Sequence, residues 1–159
     1  MCRKMEILIK KLNENAIMPC RATDGSAGMD LYACIDSEIT VAPRQLVTIP
    51  TGIAAALPDS NYAIFLFARS GLATKHGITL SNSVGVVDSD YRGEIKVGLC
   101  NLSDNGYTIK PNERIAQMVV MPVSVCDIKE TDTLPETVRG EAGFGSTGKS
   151  KIFPSFEKA

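Results

Sequence analysis

Histidine is almost absent from this chain of 159 residues, in which His76 is the only one. Nucleophilic catalysis by a Ser-His or Cys-His pair would have to depend on His76, and zinc sites with several imidazole ligands are excluded. The zinc deaminase signature, H-x-E with P-C-x-x-C, is also missing. Because His76 lies between Lys75 and Gly77, a pattern typical of a helix end, we expect it at the surface or in a helix cap.

Paired cysteines, long apolar runs and a strong net charge are missing too. The five cysteines are odd in number, widely spaced and never arranged as C-x-x-C, so they indicate neither a disulfide framework nor a zinc site. No apolar run is long enough for a signal peptide or a membrane span. The formal net charge of −1 gives no general reason to bind nucleic acid or acidic membranes. We therefore expect a cytoplasmic protein without direct contact to nucleic acid or membrane.

A Gly-rich segment matches the phosphate-binding pattern G-x-x-x-x-G-K-S at residues 143–150. A P-loop needs a strand before this pattern and a helix after it. Here a polar, interrupted segment precedes it, and Pro154 disfavours a following helix. The match therefore does not indicate a P-loop. Residues 139–148 still combine an arginine, an aromatic ring, two hydroxyls and many amides, although a disordered Gly-rich tail is an open alternative.

The chain most simply forms one packed domain followed by an arm. Its 159 residues can bury a substantial core without disulfides or metal. From Lys129 onward the composition becomes polar and rich in glycine and proline. We predict a packed domain over residues 1–128 and a flexible C-terminal arm over 129–159, in which the Gly-rich segment 139–148 is followed by an extension over 149–159.

Short apolar or alternating segments recur between turn signals, which is typical of an all-β sandwich or barrel. They lie at residues 6–12, 46–53, 62–68, 94–102 and 114–125. Within the fourth segment, the alternation of Ile95, Val97 and Leu99 predicts one buried face, with the period slipping near Asn101. One short helix is expected at residues 71–76, so the predicted fold class is all-β with a single short helix.

Polar residues concentrate at 81–94, between two apolar strands, where a β-hairpin would present them at its tip. Asp88 directly follows an apolar pair, so a rigid strand could hold its carboxylate as a general base requires. The alternative is that Asp88, like Asp90, only forms a turn. Tyr91 could pack against the apolar face of a ligand, although an exposed strand tyrosine is common.

Three other segments carry groups that suit a phosphate ligand. Arg69, Ser70 and Gly71 bring a guanidinium, a hydroxyl and an amide to a strand-to-helix junction, where the alternative is an ordinary turn with Ser70 as the N-cap. Asp30 could belong to the outer shell of a metal or to a turn, and Gln117 inserts an amide into an apolar strand, where it must find a partner or a ligand. The chemistry left open is a carboxylate base with arginine donors and a hard cation held by substrate phosphates.

Taken together and in order, these segments resemble the five motifs of the homotrimeric dUTPase family. The motifs stand here as Ala-Gly-Met-Asp-Leu-Tyr-Ala at 27–33, Ala-Arg-Ser-Gly-Leu at 68–72, Gly-Val-Val-Asp-Ser-Asp-Tyr-Arg-Gly at 85–93, Glu-Arg-Ile-Ala-Gln-Met at 113–118, and Arg-Gly-Glu-Ala-Gly-Phe-Gly-Ser-Thr-Gly at 139–148. The resemblance implies a distorted jelly-roll, β-clip-like subunit and a homotrimer whose sites are shared between chains. It also implies Mg²⁺-assisted hydrolysis of dUTP to dUMP and pyrophosphate, which limits uracil incorporation into DNA and supplies dUMP for dTMP synthesis.

The resemblance also implies roles for individual residues. Asp88 would activate the attacking water, Tyr91 would pack under the deoxyribose and exclude a 2′-hydroxyl, and Asn82 would read the edge of uracil. Asp30 would orient water on the magnesium ion. The phosphates would be held by Arg69, Ser70, Gly71 and Gln117. From the arm, Phe144 would stack on uracil, while Arg139, Gly145, Ser146 and Thr147 would close over the phosphates.

Two other functions stay open at this point. A deaminase of the same superfamily that acts on dCTP would share the phosphate-binding parts. A non-catalytic nucleotide sensor or interaction protein could use the same fold, with the extension as its partner surface. Retention of Asp88, Tyr91 and every donor of the arm argues against a pure binder, because binding alone does not need a general base.

Overall fold

The computed structural model describes residues 5–143, and the chain divides into two compact units between Val125 and Cys126. Within residues 5–143, eleven β-strands and one α-helix form, all in the first unit. The strands are β1 (Leu8–Lys11), β2 (Met29–Tyr32), β3 (Ile39–Val41), β4 (Leu46–Pro50), β5 (Ile53–Ala56), β6 (Tyr62–Phe67), β7 (Ile78–Leu80), β8 (Gly85–Val87), β9 (Lys96–Asn101), β10 (Tyr107–Ile109) and β11 (Arg114–Pro122). The helix α1 spans Ser70–His76. The expected all-β fold with one short helix is confirmed.

The strands form four antiparallel sheets. The largest has the order β2-β11-β6-β8, the second has the order β4-β9-β7, and two smaller sheets pair β1 with β5 and β3 with β10. At nine residues β11 is the longest strand, and it pairs with β2 on one side and β6 on the other. β2 therefore lies on one side of β11, and β6 with the segment that follows it lies on the other side.

One hydrophobic core draws side chains from these sheets. Leu31 and Met118 come from the largest sheet, Val97 and Leu99 from the second, and Ile53 from β5, and none is more than 1% exposed. They belong to a single cluster of buried residues. Burying a side chain of this size stabilises the fold by about 1.5–3 kcal/mol, so the core provides a rigid frame for the polar segments at its edges.

Asn101 continues the buried face of β9 instead of interrupting it. The predicted slip of the period near this residue is wrong, because its side chain is fully buried like those of Val97 and Leu99. Its Nδ2 donates to the carbonyls of Val41 (3.0 Å) and Asn105 (2.7 Å), and its Oδ1 accepts the N–H and the hydroxyl of Ser103. A buried amide is tolerated when its groups are paired in this way, and sequence periodicity does not register such pairing.

The apolar segment 46–53 forms parts of two strands rather than one. β4 pairs with β9, whereas β5 pairs with β1 in another sheet. Gly52 turns the chain between them with a φ of +69°, a conformation that favours glycine. A Cβ at Gly52 would also lie 2.7 Å from the Sγ of Cys34. The corner therefore needs glycine for both its backbone conformation and its packing.

The polar segment 81–94 does not form the tip of a two-stranded hairpin, and that expectation is corrected. β7 pairs with β9, whereas β8 pairs with β6 in a different sheet. Residues 81–84 thus pass from one sheet to the other, and residues 88–95 lead back. The sequence did not indicate this because neighbouring strands in a chain usually pair with each other.

The predicted helix at 71–76 is present and begins one residue earlier, at Ser70. It ends at the left-handed Gly77, whose N–H bonds the carbonyl of Ala73 at 3.1 Å. His76 is exposed in its last turn, as expected. Within residues 5–143, no helix is both long and apolar enough to cross a membrane.

Candidate active site

Three of the polar segments meet at β11. In the strand register, Gln117 of β11 lies opposite Asp30 of β2 on one side and opposite Phe67 of β6 on the other. Arg69 follows β6 by two residues. Because side chains at matching positions of neighbouring strands are close, the sheet brings Asp30, Arg69 and Gln117 together from distant parts of the sequence.

The Asp30 carboxylate joins two arginines. Its Oδ1 accepts the Nε–H of Arg69 at 3.0 Å, and its Oδ2 accepts an Nη1–H of Arg114 at 3.1 Å. The carboxylate is only 13% exposed, whereas the side chains of Arg69 and Arg114 are 27% and 49% exposed. Arg69 also donates from Nη1 to the carbonyl of Arg114 at 3.2 Å. Two guanidinium groups around one carboxylate leave a net positive charge in a fixed position, which suits an anionic ligand.

Arg114 was not among the predicted site residues. It lies in the fourth motif, as the exposed first residue of β11. Its contact with Asp30 depends on the pairing of β2 with β11, where a register shift falls between Arg114 and Ala116. Only knowledge of that pairing would have identified it.

The turn that precedes Arg114 is held by a tyrosine. Tyr107 donates its hydroxyl to Glu113, whose other carboxylate oxygen accepts the N–H of Lys110 at 2.9 Å. Burial, then the hydrogen bond to Glu113, raises the pKa of Tyr107 to about 12, against the opposing influence of Arg69. Tyr107 is therefore protonated and remains a donor throughout the neutral range.

Gln117 finds a protein partner. Its Nε2 donates to the carbonyl of Ala68 at 3.1 Å. A Cβ at Gly28 would lie 2.5 Å from its Oε1, so the amide packs directly over the bare backbone of the first motif. Gln117 thus contacts both Gly28 of the first motif and Ala68, the residue before Arg69.

Ser70 and Gly71 form the exposed first turn of α1 beside Arg69. Arg69 occupies the N-cap position with extended backbone and without a side-chain cap bond, so the alternative in which Ser70 caps the helix is wrong. The first backbone N–H groups of a helix have no partner within the helix, and no acidic residue lies in this turn. The turn therefore offers backbone donors directly after Arg69.

Asp88 and Tyr91 line a second feature, a cleft of about 260 Å³ next to β8. Asp88 is exposed and follows β8, and its carbonyl accepts the N–H of Tyr91 at 3.2 Å in a tight turn. Tyr91 is 46% exposed, and its hydroxyl donates to the carbonyl of Glu94 at 3.1 Å. A carboxylate and a tyrosine ring thus face one open cavity.

Asn82 lies in the loop that precedes β8, with its side chain exposed. The loop is tight, because the N–H of Val84 bonds the carbonyl of Asn82 at 2.7 Å and the N–H of Ser83 bonds the carbonyl of Leu80 at 3.2 Å. Ser83 adopts a φ of +62°, which is uncommon outside glycine and occurs often at functional sites. Asn82 and Asp88 therefore flank the same short strand.

Asp30, Arg69 and Arg114 form a group that we call the arginine cluster. Within one chain, this cluster and the β8 cleft lie apart. Val87 is opposite Ile64 in the pairing of β8 with β6, so Asp88 lies toward the start of β6, whereas Arg69 lies beyond its end. At about 3.3 Å per strand residue, roughly six positions separate them by about 15–20 Å. A single chain therefore does not bring the predicted base and the predicted phosphate donors into one site.

The second unit contains one described site residue. Arg139 is exposed, and its Nε donates to the carbonyl of Ala142 at 2.8 Å within a local turn. Four predicted residues of the arm, Phe144, Gly145, Ser146 and Thr147, lie outside the described residues.

The described residues form no cluster of three or more carboxylate, imidazole or thiol groups that could hold a metal ion. Asp30 is the carboxylate beside the arginines, and each of its oxygens already accepts one N–H. A carboxylate oxygen has more than one lone pair, so Asp30 can still accept a hydrogen bond from a water molecule. The donor set fits contact to Mg²⁺ through water and does not fit a protein cage around the ion.

The chain is similar to known proteins in sequence and in structure. A family model described as dUTPase matches residues 14–148. A relative from Neisseria meningitidis serogroup A, named deoxyuridine 5'-triphosphate nucleotidohydrolase, is 49% identical over 146 residues, which cover 91% of this chain and 97% of that protein. A relative of the same name from Idiomarina loihiensis is 47% identical over 147 residues, with 92% and 97% covered.

Solved structures are similar as well. The dUTPase of Staphylococcus bacteriophage 80alpha with dUPNHPP has a TM-score of 0.81 at 27% identity, covering 90% of this chain and 98% of that chain. The dUTPase from phage phi11 of S. aureus, for which a structural Mg(II) ion is described, has a TM-score of 0.74 at 21% identity, with 82% and 99% covered. These likenesses confirm the jelly-roll class that the motifs implied.

Proposed function

Because the chain belongs to the dUTPase family and hydrolyses dUTP to dUMP and pyrophosphate, we propose that Asp88 is the general base of this reaction. A water molecule gives its proton to the Asp88 carboxylate as its oxygen attacks the α-phosphorus. The bond from the α-phosphorus to the bridging oxygen then breaks, and pyrophosphate leaves. The observation that carries this proposal is the cleft at β8, where the exposed Asp88 carboxylate and the Tyr91 ring face the same open space.

The phosphates of dUTP bind at the arginine cluster in this proposal. The guanidinium of Arg69, oriented by Asp30 and by the carbonyl of Arg114, neutralises charge on the leaving pyrophosphate. The hydroxyl of Ser70 and the N–H groups of the first turn of α1, including that of Gly71, donate to phosphate oxygens. Gln117 keeps the strand end and the first motif in contact. Positioned donors of this kind stabilise phosphoryl transfer without a covalent intermediate.

The nucleoside binds along β8. We assign the edge of uracil to Asn82 and to backbone groups of the tight loop around it. Tyr91 packs under the deoxyribose and leaves no room for a 2′-hydroxyl. A methyl group on the base would be rejected in the same way, by lack of space.

The magnesium ion belongs to the substrate complex in this proposal, with Asp30 in contact through water. When bound, the ion neutralises charge on the triphosphate oxygens. The contribution of the chain is to hold the water in place with the Asp30 carboxylate, while the same carboxylate orients Arg69 and Arg114.

Hydrolysis of dUTP rather than deamination of dCTP is tested directly by the products. The enzyme should release pyrophosphate from dUTP and much less from dCTP, dTTP or UTP, and should need Mg²⁺ for full rate. The measurement is pyrophosphate release across the four nucleotides with and without Mg²⁺, with ammonia measured in parallel. Ammonia from dCTP would contradict the function, and binding of dUTP without any turnover would favour a sensor.

We further propose a homotrimer in which each site combines groups from different chains. The separation of about 15–20 Å between Asp88 and the arginine cluster along one β6–β8 pair supports this. A complete site then needs the β8 cleft of one chain and the Arg69 cluster of another. A cytoplasmic location without contact to nucleic acid or membrane stays part of the proposal, and the free thiols of Cys20, Cys34 and Cys100 are compatible with it.

Subunit mixing tests the shared site. Asp88→Asn and Arg69→Ala trimers should each be nearly inactive, but unfolding and refolding the two together should restore a clear fraction of wild-type turnover, because some interfaces then combine an intact Asp88 with an intact Arg69. Each variant refolded alone is the control. If both residues act from the same chain, no mixed site is complete and turnover stays at the level of the separate variants.

The arm completes the site in this proposal, with Arg139, Gly145, Ser146 and Thr147 over the phosphates and Phe144 on uracil. Truncation after Val138 should lower dUTP turnover by about 100-fold or more, while oligomeric state and melting temperature stay unchanged. Truncation after Gly148 is the matched control, since it removes only the extension 149–159. Full activity in the shorter chain would mean that the arm is a tail without function.

A further inference from the structure

We propose that Gly93 and Glu94 are positioning residues that hold the ring of Tyr91, and that selection of dUTP over UTP depends on them. The inference rests on the proposed packing of Tyr91 under the deoxyribose. Tyr91 is nearly half exposed at the cleft, and such a ring could rotate freely. A ring that moves does not exclude a small group such as a 2′-hydroxyl, so discrimination needs the ring to be fixed.

Gly93 fixes the tip of the ring by its lack of a side chain. A Cβ at this position would lie 2.6 Å from Cζ and 3.1 Å from Cε2 of Tyr91, and closer still to the hydroxyl oxygen. Gly93 is not among the described glycines with positive φ. Its backbone therefore accepts alanine, and the need for glycine comes from the close approach of the phenol alone.

Glu94 fixes the hydroxyl end of the same ring. Its carbonyl accepts the Tyr91 hydroxyl at 3.1 Å. Its side chain, 24% exposed, accepts the N–H of Gly52 through Oε1 at 2.9 Å and lies with Oε2 3.6 Å from the ammonium of Lys96. Gly52 lies at the corner between β4 and β5. The Glu94 side chain therefore anchors the residue whose carbonyl accepts the Tyr91 hydroxyl.

Both contacts hold the hydroxyl end of Tyr91, since Gly93 lies against the end of the phenol and the Glu94 carbonyl accepts its hydroxyl. An added methyl group at Gly93 must displace the ring, because the phenol is a rigid plane and its Cζ would lie 2.6 Å from the new Cβ. A displacement of about 1 Å in a positioning group can cost up to roughly 100-fold in rate. A displaced ring also no longer fixes the boundary that rejects a 2′-hydroxyl, so discrimination between dUTP and UTP should weaken.

The first test is Gly93→Ala, measured as kcat/KM for dUTP and for UTP. We expect the dUTP value to fall roughly 10- to 100-fold and the UTP value to fall much less, so the ratio drops. Gly25→Ala, where a Cβ meets nothing within 4 Å, should keep the wild-type ratio. In a Tyr91→Ala background, Gly93→Ala should change neither value. An unchanged ratio, or an equal loss in both backgrounds, overturns the role of Gly93.

The second test compares two changes at Glu94. Glu94→Gln keeps an oxygen that can accept the N–H of Gly52 and should stay close to the wild-type ratio, whereas Glu94→Ala should lower it. Equal behaviour of the two variants overturns the role of the Glu94 side chain. The proposed function fails separately: if Tyr91→Ala itself keeps the wild-type ratio, Tyr91 does not face the sugar. If Tyr91→Ala lowers the ratio and the Gly93 and Glu94 variants do not, only the positioning inference is wrong.

Discussion

Asp88→Asn should lower kcat for dUTP by roughly 10²- to 10⁴-fold, the range that a positioned general base contributes, with little change in nucleotide affinity. Asparagine has the same shape but does not take a proton from water. The Asp88 carboxylate is exposed and forms no hydrogen bond or ion pair with the described residues 5–143, so its replacement leaves no protein group unpaired. Fold and melting temperature should therefore stay unchanged, and the loss belongs to the chemical step.

The measurement is single-turnover hydrolysis of dUTP together with the dissociation constant of a non-hydrolysable dUTP analogue. Asp90→Asn is the matched control, because Asp90 is an exposed aspartate of the same turn and is outside the proposed machinery. Wild-type turnover in Asp88→Asn would remove Asp88 from the role of base. An equal loss in both variants would point to the turn rather than to the carboxylate.

Local features of the fold could be predicted from sequence because their causes are local. The helix ends at Gly77 since a left-handed residue is needed there, and Val97 and Leu99 of β9 are apolar because they face the core. Asp88 could be singled out in the same way, as a carboxylate directly after an apolar strand. The order of the motifs then indicated the family, which single motifs could not.

The rest depends on contacts between distant segments. The pair of Asp30 with Arg114 exists because β2 lies beside β11, 84 positions away, and periodicity gives no strand order. The corner at Gly52 and the assignment of β8 and β9 to different sheets have the same origin. The support of Tyr91 by the Glu94 carbonyl could not be predicted either, since a backbone carbonyl has no signature in the sequence.

Asp30→Asn should have the second largest effect and should raise KM for dUTP by about 10-fold or more while also lowering kcat. Asparagine offers one acceptor oxygen in place of two, so the guanidinium of either Arg69 or Arg114 loses its partner. A charge-assisted hydrogen bond of this kind contributes about 1.5–3 kcal/mol. Losing the carboxylate charge alone would increase the local positive charge and lower KM, so a higher KM identifies loss of orientation as the dominant effect.

The control for Asp30→Asn is Asp104→Asn, which breaks another aspartate–arginine pair. Asp104 bonds Arg44 at 2.9 Å, but the two side chains are 90% and 66% exposed, and an exposed pair contributes at most about 1 kcal/mol. It should leave KM, kcat and melting temperature near wild type. The Mg²⁺ concentration at half-maximal rate separates orientation of the arginines from contact with the ion, because only loss of the contact through water raises this concentration. A wild-type KM together with a wild-type Mg²⁺ requirement in Asp30→Asn would contradict both roles, since the two arginines would then hold the phosphates without the carboxylate between them.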